Sequence, residues 1–186
     1  MKKLKIYNNA PITLGFMLIC VIALLLSYLP GSNTTVLFFS TYRSSLLDPL
    51  MYIRLIGHVF GHSSWEHLIS NMLILSITGP ILEEKYGKKL IYVILITAII
   101  TGIIHNIFFP DTMLLGASGV CFAFLVLTSI TGNQDGIPLT FIVVMVLWIG
   151  SEIIDAFTLQ DNISQLTHII GGLIGGLSGL YIKNNK

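Results

Sequence analysis

The stretch Leu115-Gly116-Ala117-Ser118-Gly119-Val120 places a small, unhindered hydroxyl where an apolar run ending near Ile130 begins. On either side of Ser118 the neighbours are Gly or Ala, so a second backbone or a substrate can approach closely. If a helix starts here, the N–H groups of its first turn have no acceptor within the helix and carry the positive end of its dipole. A serine in that place has half of an oxyanion hole attached to it. Small residues in a membrane helix also mark close helix packing, and taken alone the stretch reads that way. What decides between the two is whether other parts of the chain bring a base and an oxyanion donor to Ser118.

Composition sets the medium. The chain has 186 residues, 54% hydrophobic and 10% charged, with a mean hydropathy of +0.84. A soluble domain of this size could not hide so much apolar surface, which points to a polytopic, all-α membrane protein. The net charge of +1 and the lack of any basic run longer than Lys2-Lys3 or Lys88-Lys89 give no nucleic-acid signature. Cys20 and Cys121 lie inside apolar runs, where thiols act as small hydrophobes, and they make no disulfide framework. No repeat, linker or low-complexity segment breaks the chain, so residues 1–186 read as one domain.

Six apolar runs follow in order. The first, 12–29, comes after three lysines and shows no small-x-small cleavage site, so it reads as a retained span. Residues 31–61 are polar and aromatic, long for a loop, and expected to be structured at the interface. Ser63 and Glu66 have capping-box spacing just before the second run, 68–82, which ends in the polar connection Glu83-Glu84-Lys85-Tyr86-Gly87-Lys88-Lys89. The third run is 90–109, stopped by Pro110-Asp111, and the fourth spans about 117–130. The fifth covers 137 to about 157, with Glu152 and Asp155 near its far end. Asn162 and Gln165 are candidate caps for the sixth, which runs to 182.

Six spans put both termini on one side. Lys2, Lys3, Lys5, Lys85, Lys88, Lys89, Lys183 and Lys186 share that side, against Arg43 and Arg54 on the other. That bias predicts cytoplasmic termini. Runs two, four and six then all enter from outside, and each carries a polar residue near its start: His67 with Asn71 one turn deeper, Ser118, and His168. Ionisable groups within a bilayer are costly and face a cavity or a partner. An imidazole that accepts its proton activates a serine hydroxyl. His168 is the best candidate base, because Gly171 and Gly175 share its face and allow the sixth run to press on the fourth. His67 and Asn71, with the Ser118 N–H, can donate to an oxyanion.

These residues resemble the rhomboid family of intramembrane serine proteases. The resemblance rests on His62-Ser63-Ser64-Trp65-Glu66-His67 followed by Asn71, on Gly116-Ala117-Ser118-Gly119, and on His168-Ile169-Ile170-Gly171 followed by Gly175. They match the family's H-x4-H-x3-N, G-x-S-G and H-x-x-G-x-x-x-G patterns, in order, on runs two, four and six. Glu83 falls where members keep an acidic residue at the inner end of span two. The resemblance covers the six-helix core and implies a Ser118/His168 dyad with His67, Asn71 and Ser118 lining the oxyanion hole. It implies a membrane-embedded first loop, span five as the lateral gate, and transmembrane segments of other membrane proteins as substrates. No cofactor or metal is needed. Two positions depart from the family: Phe122 stands where relatives often have tyrosine, and Ile53-Arg54 where the first loop often carries Trp-Arg.

Other readings weigh less. The α/β-hydrolase elbow needs glycine where Val120 stands. His58, His62 and His67 make a poor metal site, since Val59-Phe60-Gly61 is a weak helix and no carboxylate or cysteine completes the set. His62 is expected to order the first loop by hydrogen bonding, and His105 and Asn106 to be interfacial polar residues. Glu152 and Asp155 are expected to orient or anchor their helix, and Trp65 and Trp148 to anchor or pack. The alternatives of a different class are a catalytically inactive rhomboid-like binder and a small transporter. The transporter would need polar residues through the whole thickness, and the inner halves of runs two, four and six are apolar. Asn33-Thr34-Thr35 and Asn162-Ile163-Ser164 are formal glycosylation triplets, too common a match to assign a compartment.

Overall fold

The computed structural model describes residues 6–131, 138–158 and 162–184. Among them are eight α-helices and no β-sheet: α1 (Pro11–Ser27), α2 (Thr34–Phe38), α3 (Pro49–Gly57), α4 (Trp65–Tyr86), α5 (Lys89–Phe108), α6 (Ser118–Ile130), α7 (Leu139–Thr158) and α8 (Asn162–Asn184). The six apolar runs become α1 and α4 to α8, and the segment between the first two is structured as α2, α3 and a 3-10 turn at His58–Phe60. One isolated bridge pairs Thr41 in that segment with Leu114 just before α6.

α6 sits at the centre. Val120, Cys121, Ala123, Phe124 and Leu127 are fully buried, and Leu75 and Leu82 of α4, Leu90 and Ala98 of α5 and Cys20 and Leu24 of α1 pack in the same core. The outward faces are as apolar as the core: Leu18 on α1, Leu73 and Ile77 on α4, Ile107 on α5, Leu147 on α7 and Leu177 on α8 are all exposed. Contiguous exposed aliphatic faces of this extent are costly in water and cost nothing in lipid. α5 is long and apolar enough by itself to cross a membrane. α6 is not, because its 13 residues rise only ~20 Å at about 1.5 Å per residue against a hydrocarbon thickness of ~30 Å.

Several expectations change in detail. α4 starts one residue later than the capping box suggested: Ser64, not Ser63, is the cap, its Oγ accepting from the His67 N–H at 3.2 Å. Glu66 then falls at the second helical position, where it cannot close a box with Ser63. At its other end α4 continues past Leu82 to Tyr86, and Gly87, with φ +52°, turns the chain at once into α5. Glu83 is consequently a buried helical residue and not part of a loop. Its carboxylate accepts from the Ile12 N–H at 2.8 Å and from the N–H and hydroxyl of Thr13, both at 3.0 Å. α1 has no cap of its own and no acidic residue in its first turn, so Glu83 of α4 caps α1 from across the bundle.

His105 and Asn106 are also displaced from their expected role. Both are buried, because the segment 109–114 folds over the end of α5 and removes them from the interface. The Asn106 amide donates to Thr41 Oγ1 at 3.1 Å, and a His105 ring nitrogen lies 3.2 Å from the Thr112 carbonyl. Trp65 is half-exposed and stacks at 6.4 Å on Tyr28, where α1 ends and α4 begins. The side chains of Trp148, Glu152, Asp155, Asn162 and Gln165 lie outside the described residues, and so do the roles expected of them.

Candidate active site

Ser118 is the first residue of α6, and its start is fixed by backbone. Gly116 has φ +132°, a conformation that L side chains rarely adopt. Its N–H donates to the His58 carbonyl at 2.9 Å, and the first helical bond of α6 runs from Cys121 N–H to Ala117 C=O at 2.9 Å. The N–H groups of Ser118, Gly119 and Val120 precede that bond and have no acceptor within the helix. A methyl group at Gly116 would stand 2.9 Å from both Cε1 and Nε2 of His67. The missing side chain is what lets that imidazole lie against the turn before Ser118.

α8 is held against α6 by the same device. A Cβ on Gly171 would collide with the carbonyl oxygen of Gly119, and one on Gly175 with that of Ala123. A Cβ at Gly119 would stand 3.2 Å from Cγ2 of Thr167, next to His168. The His168 ring lies 4.3 Å from that of Phe122, tilted by 33°. Phe122 is one turn along α6 from Ser118, on the same face, so His168 is brought to the Ser118 end of α6.

Asn71 is 4% exposed, and its amide is oriented by two neighbours. Its Nδ2 lies 3.0 Å from His62 Nε2, and its Oδ1 accepts from the Cys121 thiol at 3.6 Å. The proton positions on His62 follow from its other contact. Nδ1 is 3.1 Å from the Phe60 carbonyl, which can only accept. Nδ1 therefore carries the proton, Nε2 accepts, and Asn71 spends one of its two N–H bonds on His62. The second amide hydrogen is not used by His62. Burial pushes the His62 imidazole down to about 4, which keeps it neutral and able to accept. His62 thus connects the first loop to the site, through Phe60 on one side and Asn71 on the other.

The loop itself is anchored by Arg54, which the sequence marked only as half of the Ile53-Arg54 pair that departs from the family. Arg54 is 2% exposed; its guanidinium donates to Asp48 at 2.6 Å and to Ser44 Oγ at 2.8 Å, and it lies 4.4 Å over the Tyr42 ring. That hydrogen bond holds the Asp48 carboxyl below its ordinary value. His58, buried and pushed down to about 4 by desolvation, donates from Nδ1 to the Arg54 carbonyl at 3.2 Å and has Thr101 of α5 3.3 Å from Nε2. Its own carbonyl receives the Gly116 N–H. The signal was present in the sequence as an arginine in an apolar helix, but its partners Ser44 and Asp48 are loop residues that no periodicity marks.

A helical bundle that gathers a serine at a helix start, two imidazoles and an oriented amide at one end of α4, α6 and α8 has the parts for nucleophilic attack on a carbonyl. Comparison with known proteins agrees with that class. The family model described as Rhomboid domain matches residues 49–185, and the chain belongs to the rhomboid family. The chain is 26% identical over 182 residues to Rhomboid protease GlpG of Serratia proteamaculans, covering 95% of this chain and 64% of that protein. It is 28% identical over 174 residues to the protein of the same name from Salmonella paratyphi A, covering 89% and 60% respectively. It therefore spans somewhat under two thirds of the length of these relatives.

Proposed function

We propose that the chain is an intramembrane serine endopeptidase that cleaves transmembrane segments of other membrane proteins, with Ser118 as nucleophile and His168 as general base. The observation that carries this reading is the α6–α8 contact, in which Gly171 rests on the Gly119 carbonyl and Phe122 meets the His168 ring. The names of the relatives, both rhomboid proteases, point the same way.

In this mechanism the Ser118 hydroxyl attacks a substrate carbonyl while His168 takes its proton and then returns it to the leaving amine. Water hydrolyses the acyl-enzyme in a second, equivalent step. The developing oxyanion meets the Ser118 N–H, the spare amide hydrogen of Asn71 and the imidazole of His67. A helical substrate satisfies its own carbonyls, so it must unwind locally, and cleavage favours small or helix-breaking residues at the cut. The exposed aliphatic faces of α1, α4, α5, α7 and α8 support immersion of the six long helices in lipid. The lysine distribution supports cytoplasmic termini, with the site below the outer surface.

The test is labelling of the purified protein by a fluorescent phosphonate that reacts with activated serines, paired with cleavage of a reconstituted transmembrane substrate. Both signals should vanish in Ser118→Ala and in His168→Ala. An intact protein that folds, binds transmembrane segments and neither labels nor cleaves would be an inactive binder instead.

A further inference from the structure

Two consecutive serines precede α4, and the structure divides their work. Ser64 caps the helix, accepting from the backbone N–H of His67 at 3.2 Å. Ser63 is thereby released from capping, and its exposed hydroxyl lies 3.2 Å from Nδ1 of the same residue's ring. The ring is held on its other sides as well. His62 meets it edge-on at 4.9 Å and 62°, and its Cε1–Nε2 edge faces Gly116, two residues before Ser118. One ring nitrogen thus faces a hydroxyl and the other faces the turn where an oxyanion would sit.

We infer that Ser63 is a positioning residue for the oxyanion-binding imidazole: its hydroxyl donates to His67 Nδ1, which leaves the ring proton on Nε2, directed at the Gly116–Ser118 backbone. The inference rests on the reading that His67 donates to an oxyanion. A neutral imidazole has one N–H, and the group bound at one nitrogen decides which nitrogen keeps it. Were Nδ1 protonated, Nε2 would present a lone pair to a negative oxygen and repel it. A serine hydroxyl can donate or accept, so the bond to Nδ1 fits either tautomer. The tautomer in which Ser63 donates is the one that leaves a proton on Nε2 for an oxyanion, and the bond stops the ring from turning. His62 cannot do this, since its Nδ1–H is committed to Phe60 and its Nε2 to Asn71.

The test uses the full chain in lipid nanodiscs, labelled with 15N-histidine, and a transmembrane substrate carrying a fluorophore. Turnover is normalised to the fraction of protein that keeps native near-ultraviolet circular dichroism. Ser63→Ala should lower kcat about tenfold with KM unchanged, a loss in keeping with one hydrogen bond acting on an oxyanion donor. Ser63→Thr, which keeps the hydroxyl, should restore kcat to within about threefold by the same reasoning. The 15N spectrum should show His67 protonated at Nε2 in the natural protein and a mixture of tautomers in Ser63→Ala. An unchanged kcat in Ser63→Ala, an equal loss in Ser63→Thr, or a His67 protonated at Nδ1 in the natural protein would overturn the assignment. Ser118→Ala separates the two levels. If it abolishes turnover while Ser63→Ala matches the natural protein, only the role of Ser63 falls. If Ser118→Ala still turns over, the hydrolase reading falls, and the His67 spectrum still decides whether Ser63 sets the tautomer.

Discussion

The helix that carries Ser118 is gripped in two opposite ways. Against α8 the contact is made by side chains that are missing: Gly171 and Gly175 rest on the carbonyls of Gly119 and Ala123. Against α4 it is made by side chains that are present, with Asn71 accepting from Cys121 and donating to His62. The first contact sets the distance between two backbones and has no adjustable part. The second sets the orientation of one amide and can be weakened by degrees. In the proposed mechanism the first contact places the base against its nucleophile, where about an ångström matters, and the second aims an oxyanion donor that must also lie within hydrogen-bonding distance. The two kinds of contact suit those two tasks.

The harshest way to test that difference is to add one carbon to the α8 contact. Gly171→Ala puts a methyl group into the Gly119 carbonyl oxygen, and neither helix backbone can yield without moving His168. Overpacking of this kind costs about 1–3 kcal/mol or more. Cleavage should fall by at least ~100-fold, in line with the cost of misplacing a reacting group by about an ångström. Substrate turnover and thermal unfolding in detergent would both report it. The same change at Gly176, whose added carbon would stand 3.6 Å from Val126 in ordinary contact, should be tolerated. Equal effects at Gly171 and Gly176 would mean that α8 is not placed by backbone contact.

On the α4 side, Asn71→Ala should lower kcat by about 10²-fold, as loss of one oxyanion donor does in other serine hydrolases. It should leave more of the fold intact than Gly171→Ala does. Its stability cost is that of leaving the His62 Nε2 acceptor unpaired, roughly 1–3 kcal/mol. Phosphonate labelling should slow but persist, because the α6–α8 contact that carries His168 to the start of α6 is untouched. Complete loss of folded protein would show that Asn71 supports the bundle more than the chemistry.

The two contacts were not equally legible in the sequence. The glycines at 171 and 175 lie three and seven residues after His168, and helical spacing alone puts them on its face, so the α6–α8 contact could be anticipated. The six apolar runs and His67, Asn71, Ser118 and His168 near the starts of three of them followed from periodicity and composition. What stayed hidden depends on pairs far apart in the chain. Glu83 caps α1 across 71 residues, Asn106 reaches Thr41 across 65, and Gly116 leans on the His58 carbonyl. The choice between Ser63 and Ser64 as helix cap turns on one residue of register, below what a capping-box pattern resolves. Likewise Leu114, just before α6, is paired with Thr41 in the first loop.

Acid offers a gentler probe of the α4 side, because His62, which orients Asn71, must stay neutral, as must His58 in the first loop. Burial pushes both His58 and His62 down from 6.5 to about 4. Below pH ~6.5 the unfolded chain takes up a proton at each of these positions, while the folded chain does not until about pH 4. Over that window the unfolded state binds more protons, so stability falls as pH falls and the contribution levels off below about pH 4. Unfolding temperatures should therefore drop between pH 6.5 and 4, and His62→Gln should make that slope shallower. An unchanged slope would mean that His62 is not held neutral by the fold.

Phe122 is the exception that sharpens the contrast, a side chain within a contact otherwise made by glycines. Its ring supports the His168 imidazole at 4.3 Å, and ring pairs of this kind are worth about 0.5–1.5 kcal/mol beyond simple burial. Phe122→Leu keeps apolar bulk but removes the face on which the imidazole rests. If the glycines fix the distance and Phe122 only the ring angle, the change should reduce kcat by about 2- to 10-fold, as that energy implies. Thermal stability should move little, and the extent of phosphonate labelling should stay near that of the natural protein. A loss as large as that of Gly171→Ala would mean that the aromatic contact, and not the bare backbone, decides where the base stands.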